Sequence, residues 1–265
     1  MHHMLETKTA GCRIKSFAIV ALLLLLSGCA GQQAQPKTQE QVDARGRAVI
    51  HAELGANYYS RGQYGVAIAE LNDAISSDPS YGASYNILGL VHMELHEDDL
   101  AVRNFEKALN LNPNDSDAHN NYGWFLCQRN RVDESIKHFM SAVKNPLYQT
   151  PEKSYLNAGL CLVKKKDMAG AEDFFLKVIK RQPQNAQALY ELANISYSRG
   201  QYIEAKAYLS QFSQDLQDSA ESLWLSLRVA RKLGDRNSES SYGLQLRRKF
   251  PSSPQAQALV SGHYE

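Results

Sequence analysis

Histidines and cysteines are the residues of this chain whose types and spacing suit chemistry. His92 and His96 stand four apart with Glu94 and Glu97 close by. On a helix that spacing puts two imidazoles on one face, which is how a two-ligand metal site begins. A closed site needs further ligands, and none stands in register. His92 falls where the repeat described below holds a packed tyrosine and His96 falls in a turn, so packing is their expected role and no metal is expected. The chain has no glycine-rich phosphate loop, no nucleophile elbow and no Asp or Glu pair placed for acid-base work. The expectation is a protein with no catalytic residues, no cofactor and no small-molecule substrate, one that works by binding other proteins.

Cys29 is reactive in a different sense. Lys8, Arg13 and Lys15 precede the apolar run Phe17 to Leu26, and Ser27, Gly28 and Cys29 follow it. Basic residues, an apolar stretch and small residues in that order make an export signal. The run is half of the roughly 20 apolar residues that a membrane span requires. Leu26-Ser27-Gly28-Cys29 resembles the lipobox of bacterial lipoproteins. That resemblance implies cleavage before Cys29, so that residues 1–28 are a signal peptide, and acylation of Cys29 with several fatty chains, palmitate among them, enough for stable anchoring in lipid. Ala30 stands where an aspartate would favour retention in the inner membrane, so the periplasmic face of the outer membrane is the expected location.

Of the 29 basic and 28 acidic side chains, three basic and one acidic lie in residues 1–28. The remainder is close to neutral and gives no electrostatic reason for a nucleic-acid partner. From Gly31 to about Ala44 the chain is polar, rich in glutamine and interrupted by Pro36. It lacks the apolar side chains that would offset the entropy of ordering. Residues 29–44 are therefore expected to be a lipidated N-terminus and flexible tether.

The elements beyond the tether are set by self-similarity. Arg61-Gly62-Gln63-Tyr64 recurs as Arg199-Gly200-Gln201-Tyr202, and Pro79, Pro113, Pro183 and Pro251 fall on one grid of 34 residues with a two-residue insertion in Asn145 to Pro151. The period and the residues at each position resemble the tetratricopeptide repeat. The first unit supplies Leu54, Gly55, Tyr58, Ala67, Leu71, Ala74 and Pro79. The next three repeat the pattern around Gly89 and Phe105, Gly123 and Phe139, and Gly159 and Phe175. The fifth holds Ala193, Ala205 and Leu209 but puts Phe212 at a small position, and in the sixth Leu227, Glu239 and Gly243 leave the pattern. The expected fold is an all-α, right-handed superhelical solenoid over residues 45–265, with repeats at about 48–81, 82–115, 116–151, 152–185, 186–219 and 220–253. Each repeat is two antiparallel helices that bury their apolar face only by stacking on neighbours. Ser253-Pro254 reads as the cap and first position of a short closing helix over Gln255 to Val260.

On this grid Cys127 and Cys161 lie on the first helices of neighbouring repeats. They either form a disulfide, if both face the shared seam, or stay as two buried thiols. In tetratricopeptide repeats, positions two, five, nine and twelve of the first helix tend to line the concave surface. Here that row gives Asn86, Leu90, Met93, Asn120, Trp124, Leu156, Leu160 and Val163, an apolar groove with amides suited to an apolar peptide or helix. Packing between repeats is the competing role for Trp124 and Leu160. The lysine and asparagine by which some members of that family grip a carboxylate are replaced by Ala52 and Ala56.

Lipobox, tether and repeats together resemble the PilF/PilW family of type IV pilus biogenesis lipoproteins. The most particular segments are Asn120-Asn121-Tyr122-Gly123-Trp124-Phe125-Leu126-Cys127-Gln128 and Pro151 to Cys161, which look like that family's third and fourth repeats with their paired cysteines. The resemblance implies a pilotin: it binds the type IV pilus secretin, brings it to the outer membrane, promotes its multimer assembly and so supports pilus biogenesis and twitching motility. The concave groove is the expected binding face, with the convex face of the first repeats as the competitor. The alternative is an outer-membrane repeat scaffold for barrel assembly or cell-wall synthesis, because the fold hosts many functions.

Overall fold

The computed structural model describes residues 38–211 and 219–264. The export signal, Cys29 and Phe212 lie outside the described residues. The chain divides into one unit ending at Asp43 and a compact unit from Ala44 onward. The described residues form thirteen helices: α1 (Gln39–Ser60), α2 (Tyr64–Ser77), α3 (Gly82–Glu94), α4 (Asp98–Leu111), α5 (Ser116–Gln128), α6 (Val132–Lys144), α7 (Pro151–Lys165), α8 (Met168–Arg181), α9 (Ala186–Ser198), α10 (Tyr202–Leu209), α11 (Ala220–Lys232), α12 (Arg236–Lys249) and α13 (Pro254–Ser261). No helix among the described residues is long and apolar enough to cross a membrane.

The compact unit begins at Ala44, but the chain is helical from Gln39 onward, inside the segment expected to be a flexible tether. Helix α1 begins at Gln39. Thr38 Oγ1 accepts from the backbone N–H of Gln41, and the Thr38 N–H donates to Gln41 Oε1. Thr38-x-x-Gln41 is a capping box, which satisfies two backbone donors that a helix start otherwise leaves open. Gln39 also donates to Asp43 one turn on. A glutamine-rich run read as disorder thus carries its own start signal.

From α3 to α12 the helices pack as antiparallel pairs, α1 meets α2 through Gly55 against Leu71 and His51 against Glu70, and the pairs stack into an all-α solenoid. Glycine sets the spacing inside the pairs. A Cβ built on Gly89 would stand 2.7 Å from the Phe105 ring, one on Gly123 2.8 Å from Phe139, and one on Gly159 2.5 Å from Phe175. All three rings are buried, so each phenylalanine fills the volume that the missing side chain leaves. The sixth pair solves the same problem with the sizes exchanged. Leu227 is fully buried on α11, and its Cδ1 lies 3.5 Å from where a Cβ of Gly243 would stand on α12. Two of the three residues that leave the pattern, Leu227 and Gly243, are a complementary pair.

The turn inside each helix pair has one recurring conformation. Gly62, His96, Asn130, Lys166, Gly200 and Gly234 all have φ between 58° and 76°, at the same position of six successive repeats. The left-handed region suits glycine, and His96 stands there as a turn residue. At the far end, Ser253 Oγ accepts from the Ala256 N–H and caps α13. This closing helix covers α11 and α12 with Ala256 and Leu259.

Candidate functional site

The row expected to line a concave groove divides in two. Asn86, Met93 and Asn120 are buried, with Met93 only 7% exposed. The amides are satisfied by each other across repeats: Asn121 Nδ2 donates to Asn86 Oδ1 (3.1 Å), and Asn120 Oδ1 accepts from Ser154 Oγ (3.0 Å) and Asn157 Nδ2 (3.1 Å). This ladder ties repeats two, three and four together, and a buried amide so partnered is not offered to a ligand. The expectation that these three side chains form an open surface is corrected. Leu90, Trp124, Leu156, Leu160 and Val163 are half-buried and pack against the cores of the central repeats.

Cys127 on α5 and Cys161 on α7 form a disulfide with a Cα separation of 5.9 Å. Both are buried, and Lys164 Nζ donates to the Cys127 carbonyl at 3.1 Å. The bond is a brace between the third and fourth repeats near the C-terminal ends of their first helices, and a buried disulfide there has no role as a nucleophile.

The histidines form pairings rather than a metal face. His92 Nδ1 lies 2.6 Å from Glu97 Oε2. His119 and His138, which sequence reasoning passed over, have their Nδ1 atoms 3.0 Å apart, and His119 Nε2 is 3.0 Å from the Pro113 carbonyl. The carbonyl only accepts, so His119 Nε2 donates to it, and in neutral His119 Nδ1 then accepts from His138 Nδ1–H. Burial, reinforced by the neighbouring His119, lowers the His138 pKa from 6.5 to about 4. His51, Glu70 and Asp73 gather ligand atoms within 4.8 Å of one another, but His51 Nδ1 is already paired with Glu70 Oε2 at 2.8 Å.

A different surface is open at the first repeat. Ser84, Ala118, Ser154, Ala188 and Ser222 occupy the third position of the first helix in later repeats, and all are buried. The first repeat has Ile50 there, 59% exposed. At the seventh position Leu88, Tyr122, Ala158 and Leu192 are buried, while Leu54 is 41% exposed. Ile50 and Leu54 are one turn apart on α1 and so share a face. The corresponding side of each later first helix is covered within the stack, and on α1 it presents two large apolar side chains to solvent. The signal was available in the sequence, as isoleucine at a position that elsewhere holds only serine or alanine.

Two models of the tetratricopeptide repeat match the chain, one over residues 82–115 and 152–185 and the other over 104–137 and 174–207. The chain is 32% identical over 239 residues to the type IV pilus assembly protein PilF of Pseudomonas aeruginosa, covering 89% of this chain and 94% of that one. It superposes on the crystal structure of PilW, a widely conserved type IV pilus biogenesis factor, with a TM-score of 0.70 at 32% identity, covering 80% of this chain and 98% of that one. For the structure of Pseudomonas aeruginosa PilF the TM-score is 0.75 at 29% identity, covering 84% and 100%. With a relative this similar along nearly the full length of both chains, this protein belongs to the PilF/PilW family of tetratricopeptide-repeat proteins of type IV pilus biogenesis.

Proposed function

We propose that this protein is the pilotin of a type IV pilus: a lipoprotein held by acyl groups on Cys29 at the periplasmic face of the outer membrane, which binds the pilus secretin and promotes its delivery and multimer assembly there. The observation that carries the reading is family membership over 89% of the chain, joined to the lipobox Leu26-Ser27-Gly28-Cys29. The division of labour is physical. Lipid fixes the location, the repeats recognise the partner, and the two together raise the local concentration of secretin at the membrane. No reaction is needed, and the protein acts by binding.

The docking face on this account is the uncovered side of α1 with Ile50 and Leu54. It fits an apolar helix or strand of the secretin, which would take the place that a preceding repeat holds elsewhere in the stack. This replaces the central groove, whose amides are bonded to each other. Membrane fractionation of cells carrying Cys29→Ser tests the anchor. The variant is expected to leave the outer membrane, and secretin multimers to fall or to appear elsewhere with it; retention of the variant in the outer membrane would refute the lipid anchor.

A further inference from the structure

Beyond its last helix the chain turns back on itself. Gly262 ends α13 in the left-handed conformation (φ 73°), and the His263 N–H returns to the Ala258 carbonyl at 2.9 Å. Tyr264 then lies on α11. Its ring stacks on Trp224, with centroids 5.8 Å apart and planes 10° from parallel, and the Arg231 guanidinium sits 3.8 Å from the centre of the same ring. Trp224 and Arg231 are seven residues, or two turns, apart on one helix face, and the tyrosine ring contacts both the indole and the guanidinium. Both contacts are favourable geometries for an aromatic ring.

Trp224, Arg228 and Arg231 are the fifth, ninth and twelfth positions of the sixth repeat, the same row that holds Asn86, Leu90 and Met93 in the second. There the row is half-buried or joined in an amide ladder. Here it keeps capacity to bind. Arg228 lies 4.4 Å over the Tyr197 ring, and its buried Nε has no hydrogen-bond partner, a donor left open at a cost that a ligand acceptor would remove. Arg231 already bonds Glu239 at 2.8 Å.

We infer that this face of α11 is a second peptide-binding site, for a partner segment with an aromatic side chain beside an acidic group, and that Tyr264 is a built-in competitor which the partner must displace. The aromatic side chain would take the slot between Trp224 and Arg231, and the acid would meet the guanidinium of Arg228. The chain's own segment has this composition, since Glu265 follows Tyr264 in the sequence. Only His263 separates the tyrosine from Gly262, so its local concentration at the slot is high, and a free peptide competes at a disadvantage. The inference is independent of the secretin assignment and concerns the opposite end of the repeat array from Ile50 and Leu54.

The test uses the full chain without its signal, with Trp124→Phe so that Trp224 is the one tryptophan left of two. The indole N–H resonance of Trp224 is followed by NMR while a peptide with the sequence of residues 261–265 is added at millimolar concentration. Tyr264→Ala is expected to move the resonance, and the peptide to move it back. The same peptide should produce roughly ten-fold less shift when Tyr264 is present, as tethered competition requires. Arg228→Ala in the Tyr264→Ala background should weaken the response several-fold, and the peptide with alanine in place of tyrosine should give none. Circular dichroism establishes that each variant is folded. Equal responses to the tyrosine and alanine peptides, or equal responses with and without Tyr264, would overturn the inference and leave Tyr264 as an end cap.

Discussion

Leu227 and Gly243 are a size-exchanged copy of the pair formed by Gly159 and Phe175. In the fourth repeat the small residue is on the first helix and the large one on the second; in the sixth repeat the order is reversed, and the close approach of the helices is kept. The solenoid therefore constrains the summed volume at these two positions more than the identity of either one.

That relationship gives a double-mutant test. Gly159→Ala places a methyl group 2.5 Å from the Phe175 ring and should cost about 1–3 kcal/mol by overpacking, even though alanine is the better helix former. Gly159→Leu should be worse. Combined with Phe175→Gly it should recover part of the loss, since residues in contact couple by about 0.5–3 kcal/mol. Urea unfolding of the two single variants and the double variant measures the coupling, and simple additivity would refute a volume constraint.

The turn position makes a prediction of opposite sign for two substitutions at equivalent sites. Lys166 has φ 65° and Gly200 has φ 76°. A side chain in the left-handed region costs roughly 1–2 kcal/mol, partly offset by the entropy that glycine loses on folding. Lys166→Gly should raise stability by roughly 0.5–1 kcal/mol and Gly200→Ala should lower it by a similar amount. Thermal melts of both variants read the two signs.

The disulfide joins residues 34 apart in sequence. On the loop-entropy account a bridge of this length contributes about 2–4 kcal/mol by restricting the unfolded chain. The double variant Cys127→Ser, Cys161→Ser should lose about that much. Unfolding of the oxidised wild type in the presence and absence of reductant should show the same difference, and none if the bond is absent.

His138 sets a pH dependence. Its folded pKa, about 4, lies below its unbound value of 6.5, because charging it means placing a cation in a half-buried site beside His119. Between these two values the unfolded chain holds more protons at this position than the folded one. Stability from this group is therefore fully present above about 6.5 and is lost as pH falls from there toward 4. His138→Leu should flatten the fall in melting temperature across that window; an unchanged slope would mean that the imidazole is solvated in the folded protein.

How much could be read from the sequence depended on whether one residue or a relationship carried the signal. The 34-residue period, the glycine and phenylalanine positions and the Ser253-Pro254 cap each stand on local identity, and all are found where the grid put them. Relationships were hidden. Leu227 and Gly243 each look like errors alone and make sense only as a pair. Asn86 and Asn120 look like free amides until the register of the next repeat supplies Asn121, Ser154 and Asn157 as partners. Thr38 was passed over because the composition around it speaks for disorder, although its spacing to Gln41 is a start signal. The packing of Tyr264 on Trp224 joins two segments that no periodicity relates.

Ile50 and Leu54 provide the variant that separates binding from folding. Both are exposed, so Ile50→Asp with Leu54→Asp should leave the unfolding free energy within about 1 kcal/mol of wild type, as surface changes do. Secretin multimers in cells carrying it should fall.

The central claim is tested most directly by blotting for heat-resistant secretin multimers in outer membranes of the native host, comparing wild type, a strain lacking this protein and the same strain complemented. The account predicts that multimers are lost on deletion and return on complementation with the wild-type chain. Multimers that are unchanged in amount and location in the deletion strain would contradict it.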